Sequence, residues 1–247
     1  MPRRLVTFVL IAVVAAAACI RLGFWQLSRL RERRAVNAVV RARVDRPVVD
    51  VSELRPDSSS RFRRARVSGT PDYDHELVLT IRSYQGSPGL YLLTPMRIPG
   101  RDTAVLVNRG WVYAPDGMTV DLARWREPDS VYVGYVDLLN EPRAGASPAA
   151  LSGRPHLLRR LDRDAVARVV PYPVSPLVIV ALPSRGATAS ANQVARLDLP
   201  PLDEGPHLGY AFQWFAFATI ALAGSGVVVA KHRASGSDPR VIPIRRS

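Results

Sequence analysis

Leu208 to Ala230 reads LGYAFQWFAFATIALAGSGVVVA. These 23 residues carry no charge; Tyr210 and Trp214 stand in the first turns, and Lys231-His232-Arg233 follow directly. Core helices of globular proteins seldom run that long without a charge. The stretch matches the hydrocarbon thickness of a bilayer, with aromatic anchors at one interface and basic ones at the other. A second apolar stretch lies near the start of the chain. Leu5 to Ile20 (LVTFVLIAVVAAAACI) is uncharged, and after Arg21 the run resumes as LGFWQL, again long enough to cross a bilayer at about 1.5 Å per residue. The sequence therefore predicts a membrane protein with two transmembrane helices: an anchor in residues 1–27 and a second helix at 207–230.

Flanking charge sets the expected orientation. Asp198, Asp203 and Glu204 precede the second span, whereas Lys231, Arg233, Arg240, Arg245 and Arg246 follow it, so residues 231–247 read as a basic cytoplasmic tail. Two spans then place the N-terminus in the cytoplasm as well, and the intervening domain outside it. The first span fits this less well, since Arg29, Arg31, Arg33 and Arg34 follow it. Ala16-Ala17-Ala18-Cys19 faintly resembles a lipobox or signal cleavage site. Because apolar residues resume beyond the cysteine, an uncleaved anchor in a cell inner (plasma) membrane is expected.

Composition narrows the chemistry. With a single cysteine, Cys19, there is no disulfide framework, zinc knuckle or paired-thiol redox site. Formal charge is +13, yet Lys231 is the only lysine. Such an arginine excess reflects base composition as much as an acidic partner, and no nucleic acid is expected. His75-Glu76 opens like a zinc-protease H-E-x-x-H, but Leu79 occupies the second ligand position and the segment reads as a strand. Asp72, Asp74, His75 and Glu76 form a solvated turn more readily than a cation site. Neither a P-loop, an S-x-x-K nor a G-x-S-x-G is present, so no enzyme is expected.

Residues 28–182 read as a helical extension followed by a β-rich domain. Leu27, Leu30, Val36, Val40 and Val44 recur at helical spacing among arginines, so the first helix continues out of the membrane, where its basic side could meet lipid head groups. From Arg64 the texture changes to consecutive antiparallel strands: RARVSG, ELVLTIRSY, LYLLTPMRI and TAVLVNRGWVY, with QGSPG and PGRD as turns. Further strands at 130–136 and 177–182 bracket a loose Pro/Gly/Ala-rich loop (EPRAGASPAALSGRP), in which His156 is expected to lie, and a short helix at 162–170 capped by Asp162. The expectation is a mainly antiparallel β (α+β, barrel-like) extracytoplasmic domain, with 183–206 as an extended lead to the second span.

Two boundary clusters stand out. Gly23-Phe24-Trp25-Gln26 with Arg29 places an indole and a guanidinium at head-group depth, which alone is ordinary anchoring. His207 opens the second helix, where an imidazole is either a polar end-cap or a nitrogen ligand for a metal or haem iron.

Five blocks, in order, resemble the Surfeit-locus cytochrome c oxidase assembly factor family: GFWQLSR, similar to its G-x-W-Q-x-x-R signature, RARVSGTPD, SPGLYLLTPMRI, VLVNRGWV and HLGYAFQWFAFA. Residues 140–200 match only loosely. The resemblance implies a two-helix protein that assists incorporation of haem a into the oxidase catalytic subunit. Its partners would be that subunit, other assembly factors and membrane lipids. By the same resemblance His207 matches a proposed haem a axial ligand, with Trp25, Arg29, Arg109, Tyr210 and Trp214 as further cofactor-binding positions. Gly23, Gln26, Asn108, Gly110 and Trp111 match other motif positions. Asn108 to Trp111 also reads as a strand end in which Trp111 fills the core and Gly110 relieves crowding. A scaffold that holds oxidase subunits without haem, and a membrane-anchored hydrolase, are the other readings.

Overall fold

The computed structural model describes residues 2–142, 150–151, 154–183 and 193–235. The chain divides into a helical unit, Met1–Val39 with Leu202–Ser247, and a β unit, Val40–Pro201.

In the helical unit, α1 (Arg3–Val44) is one unbroken helix and α3 (His207–Ser235) is the other. At about 1.5 Å per residue α1 is roughly twice as long as a bilayer core is thick, so its second half extends beyond the apolar run, as expected. Both helices are long and apolar enough to cross a membrane. Only 6% and 11% of their most apolar stretches are buried within the protein, unlike the core helix of a soluble domain. Their mutual packing follows a seven-residue repeat. Ala16, Gly23, Leu30 and Asn37 are the buried positions of α1 in this unit, and Ala211, Ala218 and Ser225 are those of α3. Small residues in such a seam let two helix backbones approach closely. The helices run antiparallel, because Asn37 and Arg34 meet residues 203–204, Gln26 meets His207, and Phe24 meets Phe215.

The β unit is built on one ten-stranded sheet. Its strands are β1 (Val49–Asp50), β2 (Arg64–Ser68), β3 (Thr70–Pro71), β4 (Leu77–Tyr84), β5 (Ser87–Arg97), β6 (Ala104–Tyr113), β7 (Val131–Leu138), β8 (Ala150–Leu151), β9 (Arg154–Leu158) and β10 (Val174–Ala181). The order is β1-β2-β7-β10-β6-β5-β4-β9-β8, with β3 paired to β5. The meander β4-β5-β6 is antiparallel as the sequence suggests, and its first turn is the two-residue loop Gln85-Gly86 with φ of 49° and 81°. Two successive positive φ values match the twist of the flanking strands, and glycine takes the second without steric cost.

Four expectations need correction. The RARVSG strand, β2, does not pair with the next long strand, ELVLTIRSY; it lies between β1 and β7, and β10 inserts between β7 and β6. The sheet is also mixed, since β1/β2, β10/β6 and β4/β9 are parallel. Nor is a closed barrel seen: among the described residues the pairing is an open path from β1 to β8. His156, expected beside a loose loop, lies in β9. Much of that loop, residues 143–149 and 152–153, falls outside the described residues, as do 184–192 and the tail beyond 235.

Burial explains the central position of β6. Seven of its ten residues from Ala104 to Gly110 are buried in unbroken succession, the pattern of a strand covered on both faces. One face joins β2, β7 and β10 through Val107, Val67, Val136 and Ile179. Another cluster packs Leu106, Leu93, Leu79 and Val178 under α2 (Arg163–Ala167), which presents Ala165 and Val166 and is capped by Asp162 accepting from the Ala165 N–H.

Candidate functional site

The helical unit brings three of the sequence-singled residues together at the start of α3. His207 Nδ1 lies 2.8 Å from Gln26 Oε1, a bond that spans 181 residues of chain. One turn earlier on α1, Gly23 is buried against the ring of Phe215: a Cβ there would stand 2.7 Å from ring carbons. That close approach, with Phe24 edge-on to Phe215 at 5.4 Å, seats the two helices near enough for the Gln26–His207 bond. His207 is half-buried, while Leu208, Tyr210 and Phe212 beside it are exposed apolar side chains. Trp214 is half-buried and edge-on to Phe217.

Arg29, one turn beyond Gln26, lies with its guanidinium 5.7 Å from the Trp25 ring centroid and pairs with Glu32 at 2.8 Å. Further along α1, Arg34 grips Glu204 through two bonds of 2.8 and 2.7 Å, and Asn37 donates to the Asp203 carbonyl at 2.8 Å. The hydrogen bonds from Arg34 hold the Glu204 carboxyl below its ordinary value. These contacts fix the 203–205 turn, closed by Gly205 at φ +67° with its N–H donated to Asp203 Oδ1, directly ahead of His207.

Arg109 stands elsewhere in chemical terms. It belongs to the β unit and is 0% exposed, so the position that the resemblance implies for cofactor binding is a buried core side chain here. The register across β5/β6 passes from Leu92↔Gly110 to Leu93↔Asn108, which makes Arg109 the extra residue of a β-bulge. A bulge re-aims a side chain out of the strand's alternation. The guanidinium meets the Glu76 carboxylate, donates to Thr94 Oγ1 at 2.7 Å and to the Trp125 carbonyl at 2.5 Å, and stacks on Tyr73. Burial works against its charge, but Glu76 beside it more than offsets this and its pKa is raised. Arg196 then donates to the Arg109 carbonyl at 2.6 Å and bridges to Glu127 at 3.0 Å.

Asn108, Gly110 and Trp111 complete that bulge. Asn108 Oδ1 accepts from the Gly110 N–H at 3.1 Å, and Gly110 adopts φ +133° with the Ala195 carbonyl 2.2 Å from where a Cβ would stand. Beyond the bulge, Trp111 exchanges two backbone bonds with Ala195, at 2.7 and 2.9 Å. Residues 194–197 are thereby docked on the sheet, with Val194 and Leu197 buried. Trp111 is half-buried beside Tyr84 and leaves Nε1 buried without a partner. Nearby, Tyr84, Tyr91, Tyr135, Asn108 and Asp198 line an open cavity of about 460 Å³, where burial pushes the Tyr135 hydroxyl up to about 12.

Sequence reasoning missed Glu76 as Arg109's partner and Gln26 as His207's. A lone charge inside an apolar strand, as in AVLVNRGWVY, is the signal that a buried counter-charge exists, although not which one. The broken H-E-x-x-H is resolved: His75 bonds Asp72 at 2.8 Å, Glu76 serves Arg109, and no cluster of metal-ligating side chains occurs among the described residues.

Comparison with known proteins agrees with the blocks in the sequence. A SURF1-like protein of Rickettsia felis is 32% identical over 104 residues, covering 41% of this chain and 45% of that protein, so the match spans under half of that relative's length. An uncharacterized SURF1-like protein of Mycobacterium bovis is 26% identical over 215 residues, covering 82% of this chain and 74% of the other. One from Rickettsia bellii is 24% identical over 224 residues, covering 87% and 84%. The SURF1 family model matches residues 13–219, which takes in most of α1, the whole β unit and the start of α3, and the chain belongs to the SURF1 family.

Proposed function

We propose that this protein is an assembly factor for a haem-copper terminal oxidase, with haem a as its transient cargo and His207 as the axial ligand. Family membership supports the assembly role, and the observation that carries the cargo is the His207–Gln26 pair at the mouth of two apolar helices. Haem a is a large apolar macrocycle with two propionates. A carrier for it needs an axial nitrogen, apolar surface and a cation at head-group level. The residues present fit. His207 offers a ring nitrogen, Tyr210 and Phe212 beside it and Phe24 on α1 offer exposed apolar surface, and Arg29, about half exposed, offers the cation. Arg109 has a different part, holding the β unit together.

In this reading both helices span the cell inner membrane with the termini in the cytoplasm, following the acidic-to-basic switch across α3. The β unit faces outward and meets the oxidase catalytic subunit, and the protein itself turns over no substrate. The test is the haem a spectrum of host membranes with and without this protein. Loss of the oxidase haem a signal on deletion, restored by the wild-type chain, is the expected result. An unchanged haem a signal with misassembled subunits would favour a scaffold that binds no haem.

A further inference from the structure

We propose that Gln26 is a positioning residue for His207: its side-chain carbonyl holds the imidazole as the Nδ1–H tautomer and so presents Nε2 as the bare nitrogen. The inference rests on the haem reading above and adds to it the residue that sets the ligand. Neutral imidazole carries one N–H, and which nitrogen bears it is decided by the bond the other groups make. With Gln26 Oε1 as the acceptor 2.8 Å from Nδ1, a neutral ring donates from Nδ1 and keeps its lone pair on Nε2. The opposite amide orientation would spend the Nδ1 lone pair on an N–H donor and leave a proton on Nε2, a ring unable to ligate through either nitrogen.

Two further features serve the same end. Gly23 brings the α1 backbone close at Phe215, so Gln26 reaches across the seam from a rigid helix rather than from a loop. On the far edge of the ring stands Gly205, where a Cβ would lie 3.4 Å from Cδ2 and 3.6 Å from Nε2. The glycine leaves the Nε2 edge without a side chain over it. Ligating histidines are commonly oriented through the hydrogen bond of their other nitrogen, and losing that partner costs roughly 10–100-fold in affinity.

The experiment uses the full chain in detergent or nanodiscs and reads two signals. Nitrogen-15 spectra of histidine-labelled, haem-free protein report the His207 tautomer, with His207→Ala assigning the resonance. Haem a titration reports affinity and the Soret band. The wild type should show the Nδ1–H form. Gln26→Glu, which keeps the acceptor, should retain both that form and haem a affinity, whereas Gln26→Leu should lose the tautomer preference and bind haem a about 10–100-fold more weakly. An Nε2–H wild type, or a Gln26→Leu protein with unchanged tautomer and affinity, overturns the positioning role even if haem a binding depends on His207. Wild-type protein that binds no haem a through His207 is a separate failure, of the ligand reading itself, and takes this inference with it.

Discussion

Arg109 is the extra residue of a β-bulge in β6, and its guanidinium is closed onto the Glu76 carboxylate with the two side chains 0% and 1% exposed. The pair ties the central strand to the head of β4, and Thr94 of β5 donates to the same Glu76 oxygen at 2.5 Å. Three neighbouring strands thus meet on one buried charge pair, at the point where the VLVNRGWV block lies.

Removing one partner of such a pair leaves the other charge buried alone. Arg109→Leu should therefore destabilise the protein by about 3–5 kcal/mol. The double change Arg109→Leu with Glu76→Leu should recover part of that loss, since no lone charge remains. Thermal unfolding of the full chain in detergent checks both, and equal losses in single and double variants would contradict the account.

Gly110 tests the docking of the lead to α3. At φ +133°, with the Ala195 carbonyl in the way, Gly110→Ala forces a conformation that L residues avoid and displaces a backbone oxygen. About 1–3 kcal/mol follows from the strained backbone alone. Faster amide exchange at Trp111 and Ala195 in the variant is the specific signature expected.

Asp72 gives an acid-sensitive element. Burial raises its carboxyl, but hydrogen bonds from Tyr172 (2.5 Å) and His75 outweigh this, and its pKa falls below the ordinary 3.8. A carboxyl lowered in the folded state stabilises it above the unfolded value and loses that contribution as pH falls through the folded one. The stability gap between wild type and Asp72→Asn should be full above about pH 4 and shrink below it. Melting curves from pH 2 to 7 measure it; a constant gap would contradict the assignment.

Topology follows from α3. A reporter fused after Leu54 should behave as extracytoplasmic, and one after Ser247 as cytoplasmic. The opposite pattern at Leu54 would invert the proposed orientation.

Much of this molecule is legible in its residues because membrane-length apolar runs and alternating strands are local signals. The two long helices, the β4-β5-β6 meander and the Asp162 cap all follow from such patterns. The placement of β10 between β6 and β7 does not, since β10 comes some sixty residues after β6 and its pairing is decided by which buried face it completes. The same holds at the sites. His207 and Arg109 were visible as residue types, whereas the Gln26 and Glu76 contacts depend on a helix seam and on one bulged residue. Arg109 stands in the sequence only as a cofactor-binding position implied by the resemblance, because alternation alone does not show that a bulge turns it into the core.

In the proposed carrier, His207 holds the haem a iron through a ring nitrogen. Titration of purified protein with haem a should give a histidine-ligated Soret band in the wild type. In His207→Ala that band and most of the affinity should be lost, while the chain still inserts and folds, because an interfacial side chain adds little to so apolar a helix. His156→Ala and His232→Ala should leave the spectrum unchanged. Full haem a occupancy with an unaltered Soret band in His207→Ala would contradict the account.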